Sequence, residues 1–451
     1  MESLFQLKKY NTTVGREIVA GLTTFMTMAY ILFVNPSILS STGMDSQAVF
    51  LATAIGAGLV TILMGLFVNY PIALAPGMGL NAYFATVAAT HGGQMSWQTA
   101  LGCVFISGIV FIILTITKIR QLLVVAVPDS LKAAITVGIG LFIAIIGFKI
   151  GDVMTMHFFG GSVVNSVITS GDSWLPDIGH LTDPAALLTY IGLLVTALLI
   201  ALRVPGAILI GIVVTTLIGV PLGVTDLGAL KGASWVPNFS HMNFAGFDLR
   251  GVFHYGIISA LFTFTFVELF DTFGTLVGTA SKAGLLEGDE GHRRLGRAML
   301  VDATGVSLGA LFGTSTITAY VESGSGIAAG GRTGLTASTV GVMFLLSLFL
   351  APLAGVIPSS ATAPALIIVG VLMMAAVRNI EWDNMGLAIP AFLTILTMPL
   401  TYSISNGIAI GFLFFVVINL ALAVFKRDHV KIHWLMYIIV VLALWRFIFY
   451  M

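Results

Sequence analysis

The chain has 451 residues, 57% hydrophobic and only 9% charged, with a formal net charge of zero and a mean hydropathy of +1.03. Soluble domains carry about 25% charged residues, so the soluble classes are excluded and an all-α polytopic membrane protein is expected. There is no basic patch for nucleic acid, the single cysteine (Cys103) allows no intrachain disulfide, and the eight histidines lack ligand spacing, so no metal site, cofactor or catalytic residue is expected.

Residues 1–16 are short and polar, lack a small-residue cleavage site and read as a cytoplasmic tail. Apolar runs of roughly twenty residues follow at 17–35, 48–69, 72–90, 97–117, 130–149, 184–202, 205–222, 252–279, 298–313, 314–331, 333–357, 361–378, 386–403 and 405–425. These are fourteen candidate transmembrane segments. Threaded from a cytoplasmic N-terminus, they place every Lys and Arg inside except Lys149, Lys231 and Arg250, with Arg446 undecided. One missed span would scramble all later loops, so the asymmetry supports the count and a multi-pass cell-membrane protein with both ends of the spanning body cytoplasmic. The outer loops 150–183 and 223–251 read as connectors. Residues 432–451 are open between a further span and a helix in the interface, with His433, Trp434 and Trp445 favouring the interface.

Pro184–Thr189 followed by Pro205–Gly211 resembles Pro390–Thr394 followed by Asn406–Gly411, which sets spans six and seven against thirteen and fourteen. A period of seven spans implies 7+7 inverted repeats, because seven is odd. Spans three and ten, again seven apart, are each interrupted. In span three an extended Ile72–Ala75 leads through Pro76-Gly77-Met78-Gly79 into a helical 80–90. In span ten the β-branched run Thr314–Thr318 leads through Tyr320 and Glu322 into a short helix opened by Ser323-Gly324-Ser325-Gly326. Paired broken spans point to the substrate site of a secondary transporter, with half-helix N–H groups facing a ligand near Gly79, Asn81, Glu322 and Ser323.

Of the 20 carboxylates, Glu268, Asp271, Asp302 and Glu322 fall clearly within spans. Each costs about 2.5–3.5 kcal/mol at the bilayer centre unless it faces a cavity or a partner. In span eight Thr265, Glu268, Asp271, Thr272 and Thr275 share one helical face, a wet stripe among phenylalanines. Two carboxylates at i and i+3 in a low-dielectric cavity are not expected to be both charged, so at least one is expected to carry a proton.

Gly21-Leu22-Thr23-Thr24-Phe25, Met28-Ala29-Tyr30-Ile31, Pro71–Ala82, Phe270–Thr275 and Tyr320–Gly326 closely resemble the AzgA-like purine permeases, nucleobase-cation symporters with the uracil-permease fold. The resemblance covers essentially the whole chain. It implies a core domain of spans one to four and eight to eleven (1–117 and 248–357), a gate domain of spans five to seven and twelve to fourteen (118–225 and 358–425), and a C-terminal cytoplasmic or interfacial helix (426–451). It further implies proton symport of purine nucleobases with no cofactor beyond the proton gradient. The family's site maps onto Asn81, Glu268 with Asp271 a turn later, and Glu322, with Glu268, Asp271 and Glu322 as proton-coupling candidates.

The chemistry agrees with that implication. Carboxylates accept from purine N–H groups, Asn81 and half-helix amides donate to ring acceptors, and Phe264 or Tyr320 covers the ring faces. Neither break nor span eight carries Lys or Arg, which argues against an anion carrier. Guanine and hypoxanthine are favoured over adenine on family grounds alone. A sodium-coupled carrier, an uncoupled facilitator and a channel are the alternative readings. Core rocking against an anchored gate, with a homodimer through that gate, is the expected motion and assembly.

Overall fold

The computed structural model describes residues 2–90, 95–117, 122, 126–159, 163–164, 167–168, 173–231, 234–254, 264–265, 268, 272, 275–276, 279–280, 283, 285, 288–427 and 429–449. Asp271 lies outside the described residues. Among those described, nine helices are long and apolar enough to cross a membrane, and three apolar helices are shorter.

Helices dominate because a bilayer offers no water to unpaired backbone groups. The first span is α1 (Val14–Met28) and α2 (Ile31–Leu39), joined at Ala29–Tyr30; the second is α3 (Ser46–Leu63), whose Ala48 amide is capped by Asp45 at 2.8 Å. Then come β1 (Leu74–Pro76), α4 (Met78–Thr90), α5 (Trp97–Ile116) and α6 (Asp129–Ile150). The outer segment expected to be a plain connector contains paired strands, β2 (Met154–Phe159) against β5 (Ser173–Ile178) and β3 (Val163–Val164) against β4 (Val167–Ile168). The chain continues through α7 (Pro184–Ala201), α8 (Ala207–Gly219), α9 (Gly288–Phe312), β6 (Ile317–Ala319), α10 (Ser323–Ala328), α11 (Gly334–Leu346), α12 (Ser359–Met373), α13 (Met385–Leu400), α14 (Ile404–Val424) and α15 (Trp434–Phe449).

Two sets of helices pack mainly among themselves. In one, α9 lies on α5 and α3, and α11 lies on α3 and α1; in the other, α12 lies on α6 and α7, and α13 lies on α14 and α6. The sets meet where α4 contacts α6 and α12 contacts α2. At the first of these junctions a Cβ on Gly79 would fall 2.7 Å from Ile139 Cγ2, so glycine is what permits that approach.

The two breaks complete one another. β1 pairs antiparallel with β6 in the register Leu74↔Ala319, Ala75↔Thr318 and Pro76↔Ile317, extended by Tyr320 N–H to the Ala73 carbonyl and Gly77 N–H to the Thr316 carbonyl, each at 3.0 Å. A two-stranded ribbon still has two open edges, and side chains close them. Thr61 Oγ1 accepts from Leu74 N–H and donates to the Leu74 carbonyl, both at 2.9 Å, while Ser323 Oγ accepts from Ala73 N–H and Asp302 Oδ1 from Ala319 N–H. Non-helical backbone is thus tolerated at membrane depth because protein groups surround it. The helix after β1 starts at Met78, two residues before the expected Leu80.

One further expectation changes. Glu17, not counted among the embedded carboxylates, is fully buried and accepts from the Arg332 and Thr333 amides and the Thr333 and Thr336 hydroxyls at 2.6–3.1 Å. α15 packs on α14 through Met436, Ile439 and Val440, and its outward residues Ile438, Val441 and Leu442 are also apolar.

Candidate functional site

A cavity of about 540 Å³ opens beside the β1–β6 crossing, a volume typical of small-molecule sites. Gly77, Met78 and Gly79 form its wall at the start of α4; Thr318, Tyr320 and Glu322 form it on the opposite break. Tyr30 of the first span and Thr275 of the eighth complete the polar side. The facing wall is apolar, with Val369, Leu372 and Met373 of α12 and then Ala376, and Thr136 of α6 as its polar exception. The cavity therefore lies between the two helix sets.

Glu322 precedes α10 but does not cap it; instead its Oε1 accepts from the Tyr30 hydroxyl at 2.7 Å. Tyr320 presents its ring to the cavity while its hydroxyl donates to the Pro76 carbonyl. The first amides of α10 are engaged locally, Ser323 to the Tyr320 carbonyl at 3.2 Å and Gly324 to the Val321 carbonyl at 2.9 Å. The helix start expected from the sequence to donate to a ligand thus has these two amides engaged within the turn. At the other break Met78 and Gly79, at the start of α4, line the cavity wall.

Of the sequence-predicted residues, the structure brings Gly79, Tyr320 and Glu322 to the cavity. Asn81 does not reach it. Asn81 is fully buried, with Nδ2 donating to Asn35 Oδ1 at 2.7 Å and Oδ1 accepting from Ser315 Oγ, and Asn35 passes the network to Thr53 and Thr314 at 2.7 and 2.8 Å. Ser323 is fully buried and spent on the Ala73 amide, and Phe264 is fully buried edge-on to Tyr83 at a centroid distance of 4.9 Å. Glu268 is fully buried and accepts from Thr272 Oγ1 at 3.0 Å; among the described residues of its stripe, Thr275 lines the cavity. None of these four is among the described residues that line the cavity in this conformation. Asp271 lies outside the described residues.

Sequence reasoning missed Tyr30, Thr136 and the α12 wall. A signal existed only for Tyr30, because a tyrosine inside an apolar span needs a partner for its hydroxyl.

A sequence profile described as a permease family (Xan_ur_permease) matches residues 15–410. The chain belongs to this permease family. It is 44% identical to the guanine/hypoxanthine permease PbuO of Bacillus subtilis, over 94% of this chain and 96% of that protein. It is 42% identical to the adenine permease AdeP of Escherichia coli, over 93% and 90% respectively. Its fold is that of the transmembrane domain of a cyanobacterial bicarbonate transporter, BicA, with a TM-score of 0.58 at 16% identity over 88% of this chain and 96% of that one. The permease is accordingly a multi-pass membrane transporter and not an enzyme.

Proposed function

We propose that this permease imports purine nucleobases by proton symport, with guanine and hypoxanthine favoured. The observation that carries the reading is a cavity whose described lining has one carboxylate, Glu322, with tyrosine and threonine side chains and the start of α4, and includes no Lys, Arg or His. A neutral flat base with N–H donors and ring acceptors suits those groups. An anion finds no cation there, so the likeness to a bicarbonate transporter extends to fold alone. The names of PbuO and AdeP support nucleobases, and AdeP keeps adenine as the second reading.

In the proposed cycle Glu322 accepts from a base N–H, the amides at Met78 and Gly79 donate to ring acceptors, and Tyr30 and Tyr320 offer ring surfaces. Glu268 and Glu322 are the described candidates for carrying the coupled proton, with Asp271 a further one from the sequence. The core set of helices moves against the gate set that supplies Thr136 and the α12 wall. Thr136 lies one turn beyond Lys132, and Ala376 lies next to the Arg378 end of its helix; charge assigns both ends to the cytoplasm, which supports an inward-open reading.

Uptake into cells or proteoliposomes tests this. Labelled hypoxanthine should accumulate above its outside concentration, collapse with a protonophore, and be competed by guanine more strongly than by adenine or uracil. Accumulation that needs sodium and ignores the protonophore, or mere equilibration, would replace the proton-symport reading. Preferential competition by adenine would select the second substrate.

A further inference from the structure

Tyr30 sits where α1 gives way to α2, 1% exposed, and its hydroxyl bonds the carboxylate that lines the cavity. The contact belongs to a longer seam. One turn before Tyr30, Thr27 Oγ1 and Ser325 Oγ lie 3.0 Å apart, and further back a Cβ on Gly326 would fall 2.6 Å from the Ala20 carbonyl oxygen. Successive turns of α1 thus meet successive turns of α10 in opposite directions, fixing the Tyr30 ring independently of Glu322. Ordering the Glu322 side chain through this contact from another span before a ligand arrives removes rotamer entropy from the binding step.

We propose that Tyr30 is a positioning residue: it holds Oε1 of Glu322 so that the carboxylate is presented to the cavity in one orientation, and it couples the protonation state of Glu322 to the first span. This deepens the purine reading and rests on it for its transport arm. Among the described residues, the titratable side chains lining the cavity are Tyr30, Tyr320 and Glu322, and Tyr320 is committed to the Pro76 carbonyl. The wall from α6 and α12 contributes none. At the far end of α10, Arg332 donates to the Ile327 and Gly331 carbonyls, and Glu17 of α1 accepts from the Arg332 and Thr333 amides.

The test compares Tyr30→Phe, which keeps the ring and deletes the donor, with Thr27→Val, which removes the hydroxyl facing Ser325 and leaves the Glu322 side-chain contact in place. In purified protein, the infrared carboxyl band that disappears in Glu322→Gln reports Glu322 without any substrate. Its titration midpoint should move in Tyr30→Phe and stay in place in Thr27→Val. In proteoliposomes, Tyr30→Phe should raise KM for labelled hypoxanthine about tenfold with maximal rate within about twofold, and displace the pH profile of uptake. Thr27→Val should leave both unchanged. An unmoved band in a folded Tyr30→Phe protein, or equal effects of the two substitutions, overturns the positioning role. Absence of purine uptake by the unsubstituted protein would overturn the purine reading alone, since the infrared result decides Tyr30 either way.

Discussion

Asp302 Oδ1 accepts from the Ala319 amide at 3.1 Å, tying α9 to the outer edge of β6. Asp302 is fully buried, so in this fold an embedded carboxylate serves as a backbone acceptor. Asp302→Ala should lower stability by about 1–3 kcal/mol, the cost of leaving a buried amide unpaired. Asp302→Asn retains an oxygen acceptor and should recover part of the loss. Thermal unfolding of purified protein in detergent checks both, and equal melting temperatures for Asp302→Ala and the unsubstituted protein would refute the edge-closing role.

Asn81→Ala is expected to behave as a stability mutant, because both ends of the amide are engaged by Asn35 and Ser315 away from the cavity. We expect a loss of about 1–3 kcal/mol with an unchanged order of competition among purines. A changed preference in a protein of normal thermal stability would return Asn81 to direct contact.

Glu322→Gln and Glu268→Gln should both abolish concentrative uptake, but by different routes. Glu322 lines the cavity, so its substitution should weaken binding of labelled base to purified protein by about 1.5–3 kcal/mol. Glu268 is buried beside Thr272, so its substitution should leave binding within about threefold and remove proton-driven accumulation. Equal losses of binding would place both carboxylates at the ligand.

The breaks are legible in the sequence because Pro76, Gly77 and Gly79 interrupt one apolar run while Thr314–Thr318 and Gly324–Gly326 interrupt another, and few lipid-facing helices tolerate either. The partners of Asn81 are not legible. Asn35, Thr53, Thr314 and Ser315 come from three other spans, and whether an amide faces a cavity or such a network is decided by packing between distant segments. Glu17 escapes for a related reason: it lies at the edge of its apolar run, and only folding brings Thr333 and Thr336 over it. Tyr30 is visible as a residue, but its partner is 292 positions away.

Motion of the core against the gate predicts unequal solvent access. In a Cys103→Ala background, Val321→Cys on the cavity wall should react with an impermeant maleimide from the cytoplasmic side and lose reactivity when purine or a pH step drives the transporter outward. Asp383→Cys, exposed between α12 and α13, should react equally in every condition. Parallel changes at both positions would contradict a fixed gate.

The crossed breaks also impose an order on biosynthesis. The amide of Ala73 finds its acceptor in Ser323, 250 residues later, and the carbonyl of Ala73 waits for the Tyr320 amide. Until that second stretch emerges from the ribosome, Ala73 and its neighbours in span three have no strand to pair with, and the growing chain must shelter polar backbone inside the insertion machinery or among its own helices. Two half-length fragments made separately should each be short-lived and should become protease-resistant together, because each half carries the missing strand of the other.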